Sequence, residues 1–156
     1  MLPDQLPVLL DHCLAGLYVL SGDRIVWLNA RAAALVGSTP EKMTGGSFLE
    51  FVYPPDLPLV RANRHGGDSY VLRVVRGDGE LVYLEVHQRA VLMDGERMIS
   101  GAVLDVTARV RADEREREAD RKLRSVLERT RFFALLLDGQ GNIEFCNDAV
   151  LRATGH

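Results

Sequence analysis

Residues 69–107 read SYVLRVVRGDGELVYLEVHQRAVLMDGERMISGAVLDVT, and this stretch decides the fold. It holds three runs of β character, parted by Gly77-Asp78-Gly79 and by Asp94-Gly95. Such groups supply the positive φ angles that hairpin turns require. Successive side chains of a strand point to opposite faces, so Tyr70, Leu72 and Val74 share one apolar face. In residues 81–92 the set Val82, Leu84, Val86, Gln88 and Ala90 alternates against Tyr83, Glu85, His87 and Arg89, which makes a strand with one wet side. The third run, residues 98–106, contains Gly101 and alternates less clearly, as expected of a strand buried on both faces or approached closely by another group. Three antiparallel strands with a common apolar face need a cover.

The residues before them provide it. Leu6, Leu9, Leu10 and Leu14 are spaced for a short amphipathic helix. Residues 17–20 and 24–28 flank Ser21-Gly22-Asp23 and predict a hairpin. Asn29 is a helix N-cap candidate for the Ala-rich run 30–36, its side-chain oxygen accepting from the amide of Arg31 or Ala32, and Gly37 ends that helix. Thr39-Pro40 starts a second helix that ends at Gly45-Gly46. Tyr53-Pro54-Pro55-Asp56 cannot pair as a strand and allows a helix from Asp56 to about Arg64. Two strands, several short helices and three strands make an α+β layout: one five-stranded antiparallel sheet covered on one face by short helices.

The order and spacing of these pieces resemble the PAS sensory family. The resemblance is carried by Gly-Asp-Arg-Ile-Val-Trp-Leu-Asn at 22–29, Gly37, Pro40-Glu41-Lys42-Met43 with Gly45, Tyr53-Pro54-Pro55-Asp56, Gly77-Asp78-Gly79-Glu80 and Asp105-Val106-Thr107. It covers about residues 6–107. Pro54-Pro55-Asp56 stands where the family usually has Pro-Asp-Asp, and Asp105-Val106-Thr107 where it has Asp-Ile-Thr. The resemblance implies a ligand site between the helices and the inner sheet face, under Tyr70, Leu72, Val74, Val82, Leu84, Val86, Gly101 and Val103, with Gln88 and Tyr70 able to provide polar contacts. These side chains are nearly all aliphatic, so the interior is either filled or a pocket for a small, mostly apolar organic ligand. Flavin-binding light sensors carry an Asn-Cys-Arg-Phe motif that this chain lacks, and a haem-type member needs an axial histidine, for which only His65 lies near the right helix. Neither cofactor is expected.

From residue 108 the composition changes. Residues 109–131 are dense in Arg, Glu, Asp and Lys without Gly or Pro, with acid-before-base pairs at Asp113/Arg117, Glu118/Lys122 and Asp120/Arg124. A linker helix over 108–130 is predicted, roughly 35 Å long at 1.5 Å per residue. A seam of steps of four and three runs Ala112, Glu116, Ala119, Leu123, Val126, Thr130, Phe133. It allows a solvated single helix or a two-stranded parallel coiled coil joining a homodimer through Ala119, Leu123 and Val126. Beyond it a shift of 118 positions places Leu135 on Leu17, Ile143 on Ile25, Asn147 on Asn29 and Gly155 on Gly37. Residues 131–156 thus read as the truncated start of a second copy.

Composition narrows the function. In 156 residues with 47% hydrophobic content the chain can build one core of about 100 to 120 residues and keep a remainder. The net charge of −3 and pI near 5.8 leave no footprint for a nucleic-acid backbone. Residues 1–5 form neither a basic leader nor an apolar span, so no membrane segment and a cytoplasmic location are expected. Cys13 and Cys146, and His12, His65, His87 and His156, fall at no metal-ligand spacing, and no nucleophile elbow or phosphate loop is present. An enzyme is not expected. The resemblance to the PAS family implies a sensory input module of a signalling protein such as a histidine kinase or a cyclic-dinucleotide enzyme, or a ligand-free module for dimerisation or docking of protein partners. In the first reading Asp105 and Thr107 bond the first free amides of the linker helix and relay the signal.

Overall fold

The computed structural model describes residues 2–129 and 132–154, so Thr130 of the seam and Gly155 of the repeat lie outside the described residues. The chain forms two compact units, Met1–Ala108 and Arg109–His156.

The first unit opens with helix α1 (Leu2–Asp11), which starts four residues earlier than the apolar spacing predicts and stops before Leu14. Strands β1 (Gly16–Ser21) and β2 (Arg24–Leu28) form the first hairpin. Three short helices follow, α2 (Ala30–Leu35), α3 (Pro40–Met43) and α4 (Leu57–Ala62), with tight 3-10 turns at Phe48–Phe51 and Pro54–Asp56 between the last two. Strands β3 (Tyr70–Val75), β4 (Leu81–Met93) and β5 (Glu96–Asp105) complete a five-stranded antiparallel sheet in the order β2-β1-β5-β4-β3. The first and last strands therefore meet at its centre, with Tyr18 opposite Gly101 and Gly101 opposite Gln88.

The turns are those the sequence asks for, with one adjustment. Asp94 and Gly95 both have positive φ, 51° and 79°, the geometry of a two-residue hairpin turn. In Gly77-Asp78-Gly79 only Gly79 has positive φ, while the Asp78 carboxylate accepts from the amide of Glu80 at 2.9 Å and shapes the rest of the turn.

Both outer strands of the sheet are occupied on their far side by loop backbone. Along β2, the Ile25 amide donates to the carbonyl of Gly46, and the Gly45 amide donates back to the carbonyl of Ile25. Along β3, the Tyr53 amide donates to the carbonyl of Arg73, and Val52 bridges Val74.

The core lies between the helices and the concave sheet face. Leu72, Val74, Val82, Leu84, Val86 and Val103 are buried from the sheet side, and Ala32, Ala33, Leu35, Met43 and Val60 from the helix side. Each of the larger aliphatic side chains contributes about 1.5 to 3 kcal/mol by leaving water. The opposite face carries Tyr83, Glu85 and His87, as the alternation along β4 predicts.

Helix α5 spans Thr107–Arg129 and buries none of its residues. Ala119, Leu123 and Val126 all lie exposed on it, and Glu118 and Lys122 form one of the expected pairs at 2.8 Å. In the second unit β6 (Leu135–Leu137) and β7 (Ile143–Cys146) form a hairpin that leads into α6 (Asp148–Thr154). Its register corrects the ungapped alignment. Leu135 faces Cys146 as Tyr18 faces Leu28, so Leu135 corresponds to Tyr18 and the second turn is one residue longer. The Asp138 carboxylate holds that longer loop by accepting from the amides of Gln140 and Asn142, each at 2.8 Å.

Candidate functional site: an apolar cavity with one polar end

A cavity of about 100 Å³ lies between the sheet and its helical cover. Of the residues the sequence placed there, Tyr70, Leu72 and Val74 of β3, Leu84, Val86 and Gln88 of β4, and Val103 of β5 line it. Val82 is buried beside the cavity without reaching its wall. Gly101 does not reach it either. A side chain there would begin 2.4 Å from the ring of Tyr18, which lies across β5 at that point. A close approach of this kind was one of the two explanations for the weak alternation in β5.

The other half of the wall was missing from the sequence reading. Tyr18 and Leu20 come from β1, Ile25 and Leu28 from β2, Ala32 and Val36 from the α2 segment. Period-two alternation within β1 and the i,i+4 spacing of Ala32 and Val36 were available signals. Met43, Phe48, Phe51 and Val52 close the cover, and no pattern in their irregular segment marks them in advance.

One end of the cavity is polar. The Tyr18 hydroxyl reaches over Gly101 and donates to the Gln88 side-chain oxygen at 2.9 Å, and the Gln88 amide donates to the Asn63 carbonyl at 2.7 Å. Tyr70 also lines the cavity. Burial pushes the Tyr18 phenol far above its ordinary range, helped by Tyr70 nearby, and burial also raises Tyr70. Both stay neutral at any ordinary pH. No charged side chain lines the cavity. A wider hollow of about 360 Å³ outside it, beside Gly67, His87, Arg89 and Ser100, also borders Gln88. Its wall is polar and outward-facing, so the smaller interior cavity is the better candidate for a held ligand.

Polar anchors fix the surrounding elements. The Asp56 carboxylate accepts from the Arg73 amide at 2.9 Å and from its guanidinium through both oxygens, while that guanidinium stacks 4.6 Å above the Tyr53 ring. The Arg73 hydrogen bonds hold Asp56 below the usual carboxylate range against the opposing effect of burial. Asn29 is buried and joins three elements. Its oxygen accepts from Ala32 at the start of α2 and from Leu17 of β1, each at 2.9 Å, and its amide donates to the carbonyls of Leu10 and Ala15. Asn147 repeats the arrangement, with its oxygen on the amides of Ala134 and Val150 and its amide on the carbonyls of Leu127 and Phe132.

At the start of α5 the expected helix caps divide their work. The Asp105 carboxylate accepts from the Thr107 amide at 2.9 Å. Thr107 instead turns its hydroxyl to the sheet and accepts from the Tyr83 amide at 3.0 Å, because β4 offers a free donor next to the last strand. Together with the bond from the Val106 amide to the Tyr83 carbonyl, this ties the helix start to β4 as well as β5. His65 is exposed in the turn after α4 and does not line the cavity. Among the described residues there is no cluster of three side chains able to hold a metal, and no helix is long and apolar enough to cross a membrane.

Comparison with known proteins places this fold. The family model described as PAS domain matches residues 14–108, and the chain belongs to that family. Solved structures share the architecture at low sequence identity. The PAS domain of an HTR-like protein from Haloarcula marismortui is 22% identical, with a TM-score of 0.56 over 66% of this chain and 90% of its own. A sensory box histidine kinase/response regulator structure from Burkholderia thailandensis is 21% identical, with a TM-score of 0.57 over 78% of this chain and 98% of its own. A PAS domain from Colwellia psychrerythraea is 18% identical, with a TM-score of 0.59 over 69% and 99%. No curated protein sequence matches the chain.

Proposed function

We propose that this chain is a sensory input module of a signal-transduction protein, which holds a small molecule in its PAS core and passes the change to α5. The observation that supports this best is the row Tyr18–Gly101–Gln88, in which the polar end of the cavity sits on β5, the strand that continues through Asp105 into the helix. A ligand that moves the Tyr18 ring changes what presses on β5 at Gly101. Asp105 and Thr107 then carry a shift of that strand into the direction of α5, a bias between two states rather than a continuous bend. The seam of Ala119, Leu123 and Val126 pairs two such helices in a homodimer. Residues 131–156 are the opening of a second PAS copy, as the recurrence of the Asn29 bonding pattern at Asn147 supports. The role is regulatory and not catalytic, its setting is the cytoplasm, and a kinase or cyclic-dinucleotide output lies elsewhere in the parent protein.

A cavity of about 100 Å³ is too small for a porphyrin or an isoalloxazine ring system without repacking of the core. The same modest volume favours a second reading, a dry interior whose domain only assembles partners. Native mass spectrometry of the purified protein separates the two. A retained small molecule, or a melting temperature raised by one from a library of small metabolites, is the expected result. A ligand-free species that no compound stabilises would overturn the sensing reading.

A further inference from the structure

The cavity wall restricts the chemistry of its occupant. An apolar cavity of roughly 150 Å³ takes a benzene-sized molecule, so about 100 Å³ suits a guest of some four to six heavy atoms. The lining carries no cation or anion to pair with a charged ligand, and burying an unpaired charge costs far more than so few apolar contacts return. The guest is neutral. Hydrogen-bond accounting then selects its polar group. The Gln88 oxygen receives the Tyr18 hydroxyl, and its amide donates to the Asn63 carbonyl. Tyr70 also lines the cavity, and a phenol hydroxyl is a stronger donor than acceptor. A guest with an acceptor oxygen takes the Tyr70 hydrogen without breaking any bond of this network.

We propose that the cavity binds a small neutral molecule carrying one acceptor oxygen, such as a short ketone or aldehyde, and that Tyr70 donates to that oxygen. This rests on the ligand-binding reading above and adds the class of ligand to it. Gln88 is the positioning residue, since it holds Tyr18 in place, and Gly101 is the space that lets Tyr18 reach it.

The test is an NMR titration of the full chain with cyclopentanone and its isosteric hydrocarbon, methylenecyclopentane. Wild type should prefer the ketone by about fivefold or more, the effect of one net hydrogen bond. Tyr70→Phe, which removes only the hydroxyl, should erase the preference. Tyr18→Phe frees the Gln88 oxygen and should shift the preference towards cyclopentanol. Equal binding of both probes by wild type, or a ketone preference that survives in Tyr70→Phe, overturns this inference and leaves the cavity as a ligand site. Failure of both probes to bind, with no xenon uptake under pressure, overturns it together with the ligand-binding reading.

Discussion

Gly101 has no side chain because the Tyr18 ring occupies the place where one would be, and this single absence couples β1 to β4 across β5. Gly101→Ala forces a Cβ into that ring, so a loss of about 1 to 3 kcal/mol is expected, the usual range for overpacking. Urea denaturation measures it, and an unchanged midpoint would mean that Tyr18 has room to move aside. Asp56 offers a test through pH. Its folded-state pKa is depressed by Arg73, so the stabilisation it gives is complete above its ordinary value of 3.8 and is lost as pH falls through the lower folded value. Asp56→Asn should lower stability at pH 7 and flatten this part of the acid limb, as read from melting temperatures between pH 2 and 6. These two residues also mark the limit of sequence reading. A close approach at Gly101 was one of two readings of its strand, and its partner was not legible, because Tyr18 lies 83 positions away and only strand order brings them together. The Asp56–Arg73 pair was invisible for the same reason.

At the scale of the element, Asn29 does more than a helix cap. It closes the C-terminal end of α1, the start of β1 and the first turn of α2 with one buried amide. Asn29→Ala should cost about 2 to 3 kcal/mol, from the lost cap and the buried groups left without partners. A cost under 1 kcal/mol by chemical denaturation would reduce Asn29 to an ordinary cap. Thr107 ties the first residue of α5 to β4. Thr107→Val keeps the shape and removes the acceptor, so amide exchange at Tyr83 and in the first turn of α5 should speed up by about tenfold while the rest of the sheet is unchanged. The cap at Asn29 was readable from one residue and its neighbours. The helix–sheet bond at Thr107 was not, since the sequence shows a hydroxyl at a helix start and cannot say that a strand amide competes for it.

For the whole molecule, the layout of five strands and short helices could be read from turn residues and from the alternation of β3 and β4, which keep one wet face each. The strand order and the second half of the cavity wall could not, since they depend on which strands meet. The α5 seam stands apart: Leu123 and Val126 are 50% and 64% exposed, an arrangement that suits a partner helix. Replacing both by Ser should shift sedimentation from dimer towards monomer without changing the melting of the PAS unit. A dimer that persists would move the contact off the helix.

The loop backbone laid along β2 and β3 has its own result for how copies of this protein can meet. Strands β2 and β3 already have hydrogen-bonding company from their own chain, so they offer poor templates for strand addition by a neighbour and for amyloid-like growth. Self-recognition is thereby steered to side-chain surfaces, where it can be reversible and specific.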